Sequence, residues 1–211
     1  MEARMATATA VIGLCAALLM FSGDMILYFT TEQYELDGTL APYINIMSHM
    51  PAKRLAIGGM LGPIAAFFYC VGFTHIYFLF PPKYMIVAIV LICVFICSSI
   101  IGGAYHSHFP YLGLACENKE TAQKISVYIM QMMRIAMLPM LAGILVFATF
   151  SVLGKTNVPR WFVAFTPLAT YFLAFAWRKV PQPFRIVLFG GWYNLMFVIY
   201  YIAVLIWAMQ Q

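Results

Sequence analysis

The sequence has few charged residues: lysine, arginine, aspartate and glutamate make up 9% of its 211 residues. A soluble globular domain carries about 25%, so this chain has too little charge to cover a surface that faces water. With 64% hydrophobic residues, a disordered polar tail is also excluded. The composition predicts an integral membrane protein whose main partner is the lipid bilayer.

Basic clusters and signature motifs are missing as well. The net charge of +5 comes from the small number of acids and not from a lysine- or arginine-rich run, which argues against nucleic acid as a partner. The sequence has no phosphate-binding glycine loop, GxSxG, HExxH or CxxCH motif. The five cysteines are an odd number and most lie in apolar runs, so no disulfide framework is expected.

Long apolar runs are what the sequence does contain. Crossing the hydrocarbon core takes roughly 20 apolar residues in a helix, and six stretches are close to this length or longer. The sequence therefore predicts one domain over residues 1–211, an all-α, multi-pass helix bundle of about six transmembrane helices. The predicted spans are residues 7–30, 56–80, 84–105, 125–150, 161–177 and 186–208.

The alternation of six spans places the loops at 31–55, 106–124 and 178–185 on one side of the membrane, here termed the far side. These loops carry seven lysines and arginines, against four on the opposite, near side. Positive charge favours the cytoplasm, so the far-side loops are expected to be cytoplasmic. We expect the protein to lie in the plasma (inner) membrane of a bacterium, with an oligomeric state that the sequence leaves open.

Costly polar residues fall mainly in the far half of the predicted bundle. Asp24 is the only acid within a span and lies about 9 Å below the far boundary at 1.5 Å per residue. Arg134 enters the same leaflet from span four, and His106 and His108 end span three. One hypothesis is a structural ion pair between Asp24 and Arg134. The other is that Asp24 lines a polar cavity as general base, metal ligand or proton carrier.

The segment His106-Ser-His108 is followed by Phe109-Pro110, which favours a departure from helical geometry. In an extended chain, residues i and i+2 point to the same face, as two ligands of one metal would. Zinc held by His106, His108 and Asp24 is therefore one hypothesis. The alternatives are interfacial histidines that bond to backbone or lipid, and histidines that act as metal-free acid or base. Further candidate metal ligands on the far side are His49, Cys116 and Glu117.

Other residues at this depth are candidates for substrate binding. Gln131 lies one helical turn before Arg134, and Tyr193 and Asn194 lie about two turns inside span six. Glycine pairs at the far ends of three spans indicate either close helix packing or room for a ligand. They are Gly58-Gly59, Gly102-Gly103 and Gly190-Gly191.

His75 lies toward the near side, and we expect a neighbouring backbone carbonyl or helix to bond to it. The alternative is a second site or one step of a proton path.

Two short segments resemble the membrane-embedded lysoplasmalogenase family. They are Phe21-Ser-Gly23-Asp24-Met-Ile-Leu27 and Phe73-Thr-His75-Ile-Tyr77. The resemblance implies that Asp24 and His75 are catalytic. That family has about eight spans, and its His-to-Tyr spacing is longer by one residue. The Gly103-Ala-Tyr-His106 segment and the size of the chain also resemble uncharacterised bacterial six-span families with no assigned activity.

Three classes of function remain open. The leading hypothesis is a membrane-embedded enzyme that hydrolyses an amphiphilic, lipid-like substrate. Asp24, His106 and His108 form its site, and Arg134 binds an anionic group of the substrate. The alternative is a small transporter or ion-coupled carrier that uses Asp24 and Arg134, although residues 1–105 and 106–211 show no inverted repeat. The third is a non-catalytic membrane protein whose polar residues only lock helices together.

Overall fold

The protein is built of helices, as its apolar runs predict. The computed structural model describes residues 2–34 and 39–211, and no strand occurs within these two segments. The α-helices are α1 (Glu2–Tyr28), α2 (Ala41–Ser48), α3 (Ala52–Gly72), α4 (Ile76–Leu79), α5 (Met85–His108), α6 (Pro110–Leu114), α7 (Lys119–Val152), α8 (Pro167–Thr170), α9 (Ala174–Trp177) and α10 (Trp192–Ala208).

Four continuous helical segments within the described residues are long and apolar enough to cross a membrane. Two shorter apolar segments follow them, Pro167–Trp177 and Trp192–Ala208. The prediction of an all-α integral membrane bundle is confirmed. The four long segments are Glu2–Tyr28, Ala52–Leu79, Pro82–Leu114 and Glu120–Val152.

The prediction of a continuous helix over residues 161–177 is wrong. This segment alternates between 3₁₀ turns at Arg160–Phe165 and Tyr171–Leu173 and the short helices α8 and α9. Thr166 is extended, with φ −71° and ψ 153°, because the ring of Pro167 disfavours the α conformation in the residue before it. A π-helical turn at Ile186–Gly190 likewise precedes α10.

The helices form a ring around a central space. α1 packs against α3, α3 against α5, and α5 against α7, while α10 packs on the other side of α1. The irregular segment 160–177 contacts both α7 and α10, so it closes the ring. The apolar core fills the near half of this ring, where Phe73, Phe147 and Tyr201 are buried.

An arginine ties the far ends of two helices together. Arg54, in the first turn of α3, donates hydrogen bonds from Nε to the carbonyl of Ile26 (2.6 Å) and from Nη2 to that of Phe29 (2.8 Å). The last carbonyls of a helix have no partner within the helix. Arg54 therefore caps α1 and fixes its end against the start of α3.

Candidate functional site

A carboxylate, an imidazole and a side-chain amide from three helices meet in the far half of the bundle. The Oδ1 atom of Asp24 accepts a hydrogen bond from Nε2 of His106 at 3.2 Å, and its Oδ2 atom accepts one from Nδ2 of Asn194 at 2.7 Å. The side chain of Asp24 keeps 13% of its surface exposed. These are three of the residues that the sequence placed at this depth.

Glycines allow α1 and α3 to enclose the imidazole of His106. A Cβ added at Gly62 would lie 2.5 Å from Cβ of His106, and one added at Gly23 would lie 3.0 Å from its Cε1. The Nδ1 atom of His106 is buried against Gly62 without a hydrogen-bond partner. The ring is thereby held with Nε2 on the carboxylate and Nδ1 toward α3.

A tyrosine fixes the amide of Asn194. The hydroxyl of Tyr69, on α3, donates to Oδ1 of Asn194 at 3.4 Å. This bond leaves the Nδ2 end of the amide to face Asp24, because the amide oxygen and nitrogen point in different directions. Asn194 is 6% exposed, and the two bonds satisfy a polar group that would be costly inside the membrane.

The cluster opens on a cavity of about 410 Å³ in the ring of helices, and Asp24, His106 and Asn194 all line it. This volume falls within the range of roughly 300–1,000 Å³ that is typical of small-molecule sites. Much of the remaining wall is apolar, so the cavity combines one polar region with a hydrophobic interior. Apolar side chains of the wall include Met20, Phe73, Met133, Met137 and Phe197.

One face of α5 contributes a polar and open stripe to the cavity. Ser98, Gly102 and His106 are spaced by four residues and all line it, since residues i and i+4 share a helix face. The Oγ atom of Ser98 is buried without a partner, and a Cβ at Gly102 would meet nothing within 4 Å. The sequence reasoning missed Ser98, although the four-residue spacing in an apolar span was a signal for it.

His108 does not belong to this site. α5 continues through His108, so the prediction of an extended segment is wrong, and the two histidines point about 200° apart around the helix. The Nδ1 atom of His108 bonds to the carbonyl oxygen of Ala104 at 2.7 Å. Its ring lies against Tyr111 and Tyr128.

The zinc hypothesis does not fit this geometry. Over residues 2–34 and 39–211, no group of three or more His, Cys, Asp or Glu side chains lies close enough to hold a metal ion. A protein zinc site needs three or four such ligands, and Asp24 and His106 supply two. Of the other candidates, His49 and Glu117 are exposed and Cys116 is a free, half-buried thiol.

Arg134 and Gln131 do not line the cavity, so the structure does not bring these two predicted binding residues to the site. The predicted ion pair between Arg134 and Asp24 does not form. Arg134 and Gln131 are exposed, whereas Met133 and Met137 carry the face of α7 that lines the cavity. Arg134 follows Met133 and is therefore rotated about 100° away from it. In the described part of the chain, the side chains that bond to Asp24 are those of His106 and Asn194.

Arg178, which the sequence reasoning had assigned only to a loop, does line the cavity. Its guanidinium lies over the rings of Phe175 and Phe189, 5.7 and 5.3 Å from their centroids. Tyr193 also lines the cavity, as a substrate-binding residue would. The sequence signal for Arg178 was Phe175, three positions earlier, because an aromatic ring at that spacing can lie against the guanidinium.

His75 belongs to a separate cluster. Its Nδ1 bonds to the carbonyl oxygen of Gly72 at 2.7 Å and its Nε2 to the hydroxyl of Tyr200 at 2.8 Å, as expected for a satisfied core histidine. Gly72 packs against Gly13, eleven residues before Asp24 and about 16 Å away along α1. The catalytic pair implied by the lysoplasmalogenase resemblance, Asp24 with His75, is therefore not brought together.

These features define an all-helical integral membrane protein whose bundle contains a largely apolar cavity with one polar region. The chain belongs to a family of unknown function, DUF6796, whose model matches residues 1–211. No curated protein and no solved structure matches the chain.

Proposed function

We propose that the protein is a membrane-embedded enzyme that acts on an amphiphilic, lipid-like substrate held in the cavity. The observation that carries the proposal is the carboxylate of Asp24, which two neighbours orient at the wall of a largely apolar cavity. Charged residues within membrane spans usually face a bundle interior or a water-filled cavity and mark functional sites. The apolar wall suits a hydrocarbon chain, and the polar region suits its head group.

Asp24 is the base of the proposed reaction, which is a hydrolysis. Its carboxylate takes a proton from a water molecule while the water oxygen attacks the substrate carbon that carries the head-group oxygen. The bond between that carbon and the head-group oxygen breaks, and the proton passes from Asp24 to the departing oxygen. A carboxylate accepts about four hydrogen bonds, so Asp24 retains room for water beside its bonds to His106 and Asn194.

His106 and Asn194 are positioning residues in this proposal. Each donates a hydrogen bond to one oxygen of Asp24, and holding a reacting group in place lowers the barrier of a reaction. Nδ1 of His106 lies against Gly62, so the ring acts through the carboxylate. Tyr193 and Ser98 line the same cavity and offer hydroxyls to a head group.

The proposal includes a location in the inner membrane of a bacterium with the far-side loops in the cytoplasm. The support is the excess of lysine and arginine in the loops 31–55, 106–124 and 178–185. In that orientation Asp24 lies in the cytoplasmic leaflet. The head group of the substrate then enters from the cytoplasmic side.

Purified protein tests the proposal with a panel of single-chain lipid esters, amides and vinyl ethers of one chain length. Mass spectrometry of the products is the measurement. We expect turnover of at least one member and a loss of about 100-fold or more in Asp24→Asn, which is the scale of a general base. The control Glu120→Gln removes an exposed acid that pairs with Lys124 and should leave turnover unchanged.

Two results would overturn the enzyme proposal. One is an Asp24→Asn variant that turns the substrate over as fast as the wild type. The other is wild-type protein that binds members of the panel without releasing a product.

A carrier is the second candidate, and one observation favours it. Two irregular backbone segments line the cavity, through Tyr171 and Phe175 on one side and Phe189 and Gly190 on the other. Broken helices around a central site are typical of transporters. Flux of unmodified lipid across proteoliposomes that Asp24→Asn abolishes, with no product formed, would decide for the carrier.

A further inference from the structure

Arg178 lines the same cavity as Asp24, and it is also exposed. The guanidinium of Arg178 lies over Phe175 and Phe189, and both rings also line the cavity. Stacking on aromatic faces restrains the plane of a guanidinium and leaves its N–H groups at the edge of that plane. The arginine is thus held as a donor array at the cavity wall.

Two other arginines of the far-side loops donate to backbone carbonyls. Arg54 binds the carbonyls at the end of α1, and Arg185 donates to the carbonyl of Tyr34 at 2.6 Å. Arg178 forms no hydrogen bond and no ion pair with any residue that the structure describes. Five N–H donors in a fork suit a carboxylate or a phosphate, which can accept two of them at once.

We propose that Arg178 binds the anionic group of the substrate, which makes the substrate class an anionic single-chain amphiphile. The inference rests on the proposed function, in which an amphiphilic substrate occupies the cavity. The shared chemistry is a pair of anionic oxygens, as a phosphate or a carboxylate provides. The negative charge of Asp24 repels these oxygens, so the molecule lies with its anionic group at Arg178 and an uncharged polar group at Asp24.

Equilibrium binding to the purified full-length protein tests this assignment with four probes. They are lysophosphatidic acid, the fatty acid and the monoacylglycerol of the same chain length, and inorganic phosphate. We expect the wild type to bind lysophosphatidic acid, the fatty acid or both at least tenfold more tightly than monoacylglycerol, because hydrogen bonds between two charged groups are stronger than those to a neutral group. Whichever anion binds more tightly identifies the anionic group.

Variants separate the arginine from the rest of the site. Arg178→Gln should remove the preference for the anionic probes and leave monoacylglycerol affinity unchanged. Lys179→Gln is the matched control, since Lys179 is the neighbouring cation, exposed like Arg178, that does not line the cavity, and it should keep the preference. Arg178→Lys keeps the charge without the fork and should retain part of it.

The outcomes distinguish the two proposals. Binding of monoacylglycerol together with an unchanged anion preference in Arg178→Gln overturns the role of Arg178 and leaves the proposed function standing. Binding of no amphiphile by the wild type overturns both. Inorganic phosphate that competes as well as lysophosphatidic acid overturns the amphiphile assignment, because the acyl chain would then contribute nothing.

Discussion

Two buried histidines lie about 16 Å apart along the bundle, and their surroundings differ. His75 has both ring nitrogens bonded, is 0% exposed and lies outside the cavity. His106 has one nitrogen on a carboxylate at the wall of a cavity. His75 therefore has a structural role, whereas His106 is part of the candidate site. Burial of a polar side chain therefore does not by itself indicate a site. A candidate site needs polar atoms that can form further hydrogen bonds and that line a cavity.

The largest expected effect is a loss of stability on substitution of His75, whose two ring nitrogens are both hydrogen-bonded. His75→Ala removes a ring packed against Tyr200 and Tyr201 and leaves two buried partners unbonded. The cost should approach the roughly 3–5 kcal/mol of deleting a large buried ring. Thermal unfolding in detergent measures it. His49→Ala, at an exposed histidine, should leave the midpoint unchanged, and equal midpoints for the two variants would contradict the structural role of His75.

Two glycine variants test whether close packing against α3 fixes the imidazole of His106. Gly62→Ala places a Cβ 2.5 Å from Cβ of His106, and such overpacking costs about 1–3 kcal/mol. Displacing the imidazole should also weaken binding of monoacylglycerol. Gly102→Ala is the control, because its Cβ meets nothing within 4 Å, and it should leave stability unchanged or raise it by up to about 1 kcal/mol. Equal loss in both variants would argue against the close fit at Gly62.

A smaller effect is expected at the hydroxyl that completes the His75 cluster. Tyr200→Phe removes the partner of Nε2 of His75 and should cost about 1 kcal/mol, the scale of one hydrogen bond. The midpoint of thermal unfolding is again the measurement, with turnover by the folded protein retained. A loss of turnover without a loss of stability would instead connect the His75 cluster with function.

The smallest effect is expected at Arg134. Arg134→Gln changes an exposed side chain outside the cavity, so affinity for the anionic probes should stay within the error of the binding measurement. Loss of the anion preference in this variant, with retention in Arg178→Gln, would reverse the assignment of the two arginines.

The sequence was sufficient for the fold class and for the depth of the polar residues. Apolar run length predicts spans: the predicted 125–150 falls within Lys119–Val152, and the predicted 56–80 extends one residue past the helical segment Ala52–Leu79. Counting 1.5 Å per residue also placed Asp24, His106 and Asn194 in the same half of the membrane. The depth of a residue in a helical span follows from the number of residues between it and the end of the span, and the sequence gives that number directly.

Rotation about the helix axis was not predictable in the same way. A span that is apolar on all sides gives no periodic signal for the face that turns inward. This is why Arg134, within a predicted span, was expected to face the site. His108 was grouped with His106 for another reason, the expected extended segment, whereas α5 continues through both residues. The break at Thr166 had a signal in Pro167, but an apolar run by itself does not report whether its backbone is continuous.

The cap that Arg54 places on α1 sets more than the end of a helix. Its two shortest carbonyl contacts lie at Ile26 and Phe29, two and five residues after Asp24. One extra residue between Asp24 and these contacts would turn the carboxylate by about 100° and shift it by about 1.5 Å, away from His106 and Asn194. Arg54 therefore fixes the position of Asp24 along and around α1 relative to α3. The neighbouring helix, and not the thickness of the surrounding lipid, sets where the carboxylate lies.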